Sequence, residues 1–575
     1  MLRLQATLGE LYKNKKFDSI IELLEKEPRL VNNLEIANLL AVSYRKVGDY
    51  LRSRSLFERI LNVSAHPGIT ISYAMLLSEM KEYHLACNTL QSVLNSNPNN
   101  FDAQYNLALI YKELNQNTNA LKAFEKALTL NQSYQGANVG YILTLISLEL
   151  VDEALKHCEK LLEENTKYHF TLLTIKADIL LKMFNLNDAK FLLEQLNSVY
   201  NNIDTKLKYA QLLSLEGNVK ESNNILENLL QHYPTNLVIH NLLFDNLVTS
   251  VDRNPLKYYA LVSKKTNDID FLTDYFRKLI KLDECENALI LINSKLDNSV
   301  EKSRLMVLKA VALRELGRLD ESLAILSQTT LTNSYSDIAK YEKAITLMCA
   351  NDFTSAYALI KEELLKIPSH KLITLEYACA KKLERKSPID LTSEIMIESE
   401  VLPAELLKKL KVLLFEIHQS KKILMMQSIR GGNQTEGNLF HLDNPELKTV
   451  KQILLGKIES YCKAKAQTSN GIINGAWSIF MESSGRHVNH VHSNGTFSAC
   501  FYVSIPDDCL KEGNGWFKCG GANISKHFHD QDDYYIKPVE NSLVIFPSNL
   551  SHGTNEFISL QPRITLAFDF KQNSD

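Results

Sequence analysis

The chain has 575 residues, too many for one hydrophobic core and enough for two to four domains. Lys plus Arg number 64 against 67 Asp plus Glu, a formal net charge of −3, which argues against a nucleic-acid-binding protein. No apolar run approaches the roughly 18 residues of a membrane span, and MLRLQATLGELYKNKKFD has no apolar core of a secretory signal, so neither membrane insertion nor secretion is expected.

Residues 1–385 repeat themselves. The segment from Phe101 carries Leu107, Ala108, Tyr111, Ala120, Phe124 and Ala127. Thirty-four residues earlier, the register from Pro67 gives Ala74, Leu77, Ala86, Leu90, Val93 and a closing Pro98. The same spacing runs back through Ala41 and Gly48 and forward through Ala154, Ala177, Ala189, Ala210 and Gly217. A weaker stretch follows, and the register returns at Ala310, Gly317, Ala344 and Ala356. Small residues at two fixed places in a period of 34 mean paired antiparallel helices, since the small side chains let neighbouring helices approach. Roughly nine or ten units are expected.

Residues 386–425 read as a bridge. Pro388 and Pro403 bracket a polar stretch, and AELLKKLKVLLFEIHQSKKIL then has the pattern of one amphipathic helix. From residue 426 to 575 the composition changes. Thirteen of the 20 glycines and both tryptophans lie after residue 430, which is the signature of strands and tight turns. A helix is predicted near 444–465, then strands at 476–482, 497–505, 515–520, 542–547 and 563–570. That order predicts a β-sandwich or barrel with helical support.

Seven of the 15 histidines fall in this last region, three of them in RHVNHVHSNG: His487, His490 and His492. In extended chain His490 and His492 share a face. His552 follows SLVIFPSNLS, and Arg563 opens RITLAFDF. In that strand Ile564, Leu566, Phe568 and Phe570 form an apolar face, while Arg563, Thr565, Ala567 and Asp569 form the other. His527 and His529 in KHFHD repeat the spacing but have no matching distal partner, so they read as a polar surface loop. The nine cysteines are scattered with no C-x-x-C pair, so buried thiols in a reducing cytoplasm are expected.

The helical register resembles the tetratricopeptide repeat family. The stretches 432–440, 476–506, 515–520, 542–557 and 562–570 resemble the 2-oxoglutarate- and Fe(II)-dependent oxygenases, in particular the branch fused to such repeats. The resemblance implies an all-α repeat superhelix followed by a double-stranded β-helix, or jelly roll. It implies Fe(II) bound by His490, His492 and His552, and 2-oxoglutarate held by Arg563 with Thr565. Tyr502 is a further candidate donor to the cosubstrate, from its place in its strand. His492 stands where most of that superfamily has Asp or Glu, which leaves the third ligand open between His492, His487, water and a carboxylate such as Asp569. The resemblance also implies a hydroxylase-type enzyme whose array binds a protein or peptide. The competing expectation is an adaptor whose jelly roll holds metal, or nothing, without turnover. There is no Gly-rich phosphate loop.

Overall fold

A computed structural model describes residues 2–572 except 65, 165–168, 249–253, 297–301, 329–332, 367–368, 387–388, 421–428, 436 and 493–494. The chain divides into two compact units, residues 1–172 and 173–573.

The first unit is helical. Its pairs start at Leu2–Lys13 with Phe17–Lys26 and run to Gln135–Ser147 with Val151–Glu163. The residues of the 34-residue register are its core: Ala41, Ala74, Ala86, Leu90, Ala108, Ala120 and Phe124 are fully buried. Asparagine supplies several of the helix starts, as where Asn100 accepts from the Ala103 amide at 2.9 Å.

Helix pairs also open the second unit and continue to Asn333–Cys349 with Phe353–Lys366; His370–Lys382 closes the array. Among the described residues that makes eleven pairs across the chain, slightly more than the nine or ten expected, because the weak stretch near 240–296 is also paired helices. The repeat is plain in the backbone. Lys15, Gly48, Lys81, Asn115, Glu149, Phe184, Gly217, Asp283, Gly317, Asn351 and Glu384 all have φ between +51° and +83°. Each ends one helix so that the next can turn back. Only three are glycine, so the other positions bear a left-handed backbone at about 1 kcal/mol each. Packing between helices therefore fixes the turn, and the turn residue does not.

The strands of the second unit are β1 (Met396–Glu398), β2 (Ile429–Arg430), β3 (Asn433–Gln434), β4 (Gly471–Met481), β5 (Ser484–His487), β6 (Phe497–Ser504), β7 (Phe517–Cys519), β8 (Asn523–Ser525), β9 (Phe528–His529), β10 (Tyr534–Ile536), β11 (Leu543–Pro547), β12 (His552–Thr554), β13 (Phe557–Ile558) and β14 (Arg563–Gln572). The large sheet has the order β1-β11-β6-β14-β4-β3, and smaller sheets have the orders β10-β7-β12 and β13-β5-β2. The predicted helix is observed as Pro445–Ala464. One face of the large sheet is apolar: Ile564, Leu566, Phe568 and Phe570 of β14 and Phe501 of β6 pack on Leu447, Leu454 and Ile458 of that helix. The alternation in β14 thus sends its apolar face to the helices and its polar face inward, against the small sheets.

The bridge stretch contributes to this sheet. β1 pairs antiparallel with β11, Met396 opposite Ile545. Leu407, Leu410 and Leu414 of the helix Ala404–Ser420 enter the same core, and His418 on that helix meets Ser478 Oγ at 2.9 Å. Pro388 and the predicted continuation of the helix to 424 lie outside the described residues. Asn433 and Gln434 form an edge strand beside β4.

The stretch around His527 is also not a free polar loop. β8 and β9 make a hairpin that rests on the array. Ala522 and Phe528 join a core with Leu375 and Ile360, and the Phe528 ring meets Phe353 edge-on at 6.1 Å. Ser525 Oγ donates to Glu315 at 3.1 Å and His527 Nε2 to the Glu315 carbonyl at 2.8 Å.

Candidate metal and cosubstrate site

One pocket opens between the inner face of the large sheet and the small sheets. Trp477, Ile479 and Met481 of β4, Ser498 and Cys500 of β6, and Arg563, Thr565 and Ala567 of β14 form one wall. Phe517 of β7 and His552 and Thr554 of β12 also line it, with His487, His490 and His492.

The histidines are brought together by strand pairing. His490 and His552 form an antiparallel bridge, each amide donating to the other's carbonyl at 2.9 and 3.0 Å. The His492 amide donates to the Ser548 carbonyl at 3.0 Å. As a result one nitrogen of each of His490, His492 and His552 lies within 4.8 Å of the others. Their ring centroids are 4.5 to 5.1 Å apart.

Each ring has its other nitrogen tied. His490 Nδ1 donates to the Val488 carbonyl at 2.8 Å, and His552 Nδ1 to the Leu550 carbonyl at 2.9 Å. His492 Nδ1 donates to both oxygens of Asp569 at 2.7 Å, and Ser498 Oγ donates to Asp569 at 2.7 Å. A carbonyl can only accept, so Nδ1 carries the proton and Nε2 keeps its lone pair. Burial, reinforced by the neighbouring rings, pushes His490 down to about 4 and His552 well below its ordinary value. Both are therefore neutral near pH 7, the form that binds a metal.

Two of the alternatives for a third ligand stand apart. The His487 ring lies 5.8 Å from that of His490, outside the cluster of three. Asp569 sits behind His492 as its hydrogen-bond acceptor, not beside it.

At the other end of the pocket Arg563 is 3% exposed. It donates to the Gly515 carbonyl and lies 5.7 Å from the Tyr502 ring centroid. Gly515 has φ +68°, and a Cβ there would stand 2.7 Å from the guanidinium, so only glycine permits this approach. No carboxylate of the described residues pairs with Arg563. Thr565 is paired with Tyr502 across the sheet, and the buried Tyr502 hydroxyl has only the neighbouring Cys500 thiol for a partner. A buried cation without a counter-charge among the described residues, beside a hydroxyl that meets only a thiol, fits an anionic ligand with two acceptor oxygens.

Two wall residues escaped the sequence reading. Cys500 shares the pocket face with Ser498 and Tyr502, as period-2 counting from Tyr502 would have found. Its thiol is pushed up to about 11 by burial. Trp477, on the same face as Ile479, stacks on His492 at 5.4 Å.

Residues 475–569 match the family model "Putative 2OG-Fe(II) oxygenase", and residues 101–134 match the tetratricopeptide repeat model. No curated protein matches the chain. Among solved structures, a tetratricopeptide repeat protein from Parabacteroides merdae is 19% identical with a TM-score of 0.35, the match covering 42% of this chain and 96% of that one. MamA from Desulfovibrio magneticus is 20% identical with a TM-score of 0.26, covering 28% and 91%. The chain thus carries tetratricopeptide repeats followed by a jelly-roll domain that matches the 2OG-Fe(II) oxygenases.

Proposed function

We propose that the jelly roll is a 2-oxoglutarate- and Fe(II)-dependent oxygenase of the hydroxylase type, working in the cytoplasm, with the repeats binding a protein substrate or partner. One observation carries it. Three imidazoles with tied Nδ1 atoms converge in the same pocket as a buried arginine that has no counter-charge among the described residues. His490, His492 and His552 hold Fe(II) through Nε2 in this reading. Arg563 takes the far carboxylate of 2-oxoglutarate, with the hydroxyls of Thr565 and Tyr502 as further donors.

When bound, Fe(II) with 2-oxoglutarate supplies the activation of O₂ that places oxygen on a C–H bond. The chain's own residues prepare that chemistry. The three fixed tautomers orient the ligand nitrogens without rearrangement. Asp569 behind His492 fixes that ring through Nδ1 and returns part of the negative charge that a direct carboxylate ligand would bring. Phe517, Phe546, Ile479 and Met481 line the pocket and keep water from the reacting end. Nine free thiols agree with a reducing compartment.

The test is conversion of 2-oxoglutarate to succinate by the full chain. Slow, Fe(II)-dependent release of succinate without a prime substrate is the expected result. None at any Fe(II) concentration, with metal shown to be bound, favours the adaptor.

A further inference from the structure

We infer that the last helix of the array, His370–Lys382, positions the loops that carry the three histidines, so that the repeats set the metal affinity of the jelly roll. The inference rests on the metal-site reading above and adds to it the element that holds the site in shape.

Four residues of this helix face the jelly roll at helical spacing: His370, Thr374, Tyr377 and Lys381. His370 Nδ1 donates to the backbone carbonyl of His492 at 3.1 Å. Thr374 Oγ1 donates to the carbonyl of Asn549, three residues before His552, at 2.8 Å. Tyr377 donates to Asp533 at 2.9 Å. Lys381 pairs with Asp530 at 3.2 Å, and so does Lys382. The positions i, i+4, i+7 and i+11 form one stripe.

The stripe reaches the third histidine through the 530–533 loop. Asp532 accepts from the side chain of Asn489, the neighbour of His490, at 2.5 Å and from the Gly521 amide at 3.1 Å. Ser551, the neighbour of His552, donates to the Gly521 carbonyl at 2.6 Å. His490 and His492 lie outside the named strands, in a segment whose pairing is a single bridge. Strand pairing alone holds such a segment weakly. The helix gives it partners, and with them a fixed separation of the imidazoles.

None of the four residues touches the metal pocket. They are positioning residues, acting through backbone carbonyls and the 530–533 loop. Because coupling is reciprocal, metal binding also steadies the helix.

The experiment uses the full chain and Co(II), whose visible spectrum reports coordination. Thr374→Val keeps the volume and removes the donor. His370→Ala removes the donor of the second contact together with the ring, and His370→Gln restores a donor and most of the volume. Each of the two losses weakens Co(II) about tenfold, the size seen when support behind a ligand is removed, and alters the Co(II) band. His370→Gln recovers most of the affinity, and exposed Lys371→Ala changes nothing. Should the variants fold poorly, hydrogen exchange on the unaltered chain answers the same question. Co(II) slows exchange in His370–Lys382 and leaves Phe101–Glu113 as it was. Wild-type and variant chains binding Co(II) with equal affinity and one spectrum, or a His370–Lys382 segment whose exchange ignores bound Co(II), would overturn the inference. A wild-type chain that takes no Co(II) overturns the metal-site reading, and the inference with it.

Discussion

Two buried arginines separate the helical array from the jelly roll. Arg314, 5% exposed in the array, is held by Glu315 at 2.9 Å and Glu342 at 2.5 Å. Arg563, 3% exposed in the jelly roll, has a carbonyl and the ring of Tyr502 but, among the described residues, no carboxylate. The array treats a buried charge as a structural matter and closes it locally. The jelly roll leaves the charge open. Burying an ion without a partner costs several kcal/mol, so a fold keeps one where a ligand completes it. The same contrast holds for histidine. His418, on the helix behind the sheet, is buried against Ser478, whereas His490, His492 and His552 turn their free nitrogens toward one another.

The contrast is sharpened first at the histidines. His552→Ala removes a ligand and abolishes binding of Co(II) or Fe(II), measured by equilibrium dialysis. Retention of wild-type affinity would place the metal elsewhere.

The two arginines give the next largest effect. Arg314→Ala strands two partly buried glutamates and lowers the free energy of unfolding by about 3 kcal/mol in urea. Arg563→Leu leaves the stability of the metal-free protein unchanged or slightly raised, because it removes a charge that nothing compensates. Equal losses in both variants would show that Arg563 is an ordinary structural residue.

Acid separates the two kinds of imidazole. Burial pushes His418 down to about 4, against about 6.5 in the unfolded chain. Its contribution is complete above pH 6.5 and is lost as the pH falls toward 4, since the unfolded chain takes up the proton first. Between pH 7.5 and pH 5 this amounts to about 2 kcal/mol. His418→Phe, which can keep the stacking on Phe480, should lose that much less stability over the same interval. An unchanged acid dependence in the variant would mean that His418 is not buried as described.

Asp569→Asn gives the smallest effect. The amide cannot accept with both oxygens from His492, so metal affinity falls about tenfold while 2-oxoglutarate affinity at fixed metal loading does not.

Much of this was legible in the chain. The register of alanines named the buried faces of the helices, because a small residue is needed wherever two helices approach. Period-2 counting in RITLAFDF gave both the helix-packed face and the pocket face of β14. The order of His490, His492, His552 and Arg563 gave the pocket's ends. Other features were not legible. A three-residue strand such as Met396–Glu398 is too short to carry a period, and its pairing with β11 is a tertiary choice. The turn positions Lys81, Glu149 and Phe184 carry no turn-forming residue, since the packing imposes their conformation. KHFHD reads as polar because only Phe528 of its hairpin is apolar, and one side chain leaves no pattern. The contact of His370 with the His492 carbonyl joins residues 122 apart, and backbone acceptors leave no trace in sequence.

The most direct measurement of the central claim is an anaerobic titration of 2-oxoglutarate into the full chain, with and without Fe(II), repeated for Arg563→Leu. The account predicts tight binding only when Fe(II) is present, and at least a hundredfold weaker binding in Arg563→Leu with Fe(II) uptake unchanged. Binding that is indifferent to Fe(II), or equally tight in Arg563→Leu, would contradict a single site built from the three histidines and the buried arginine.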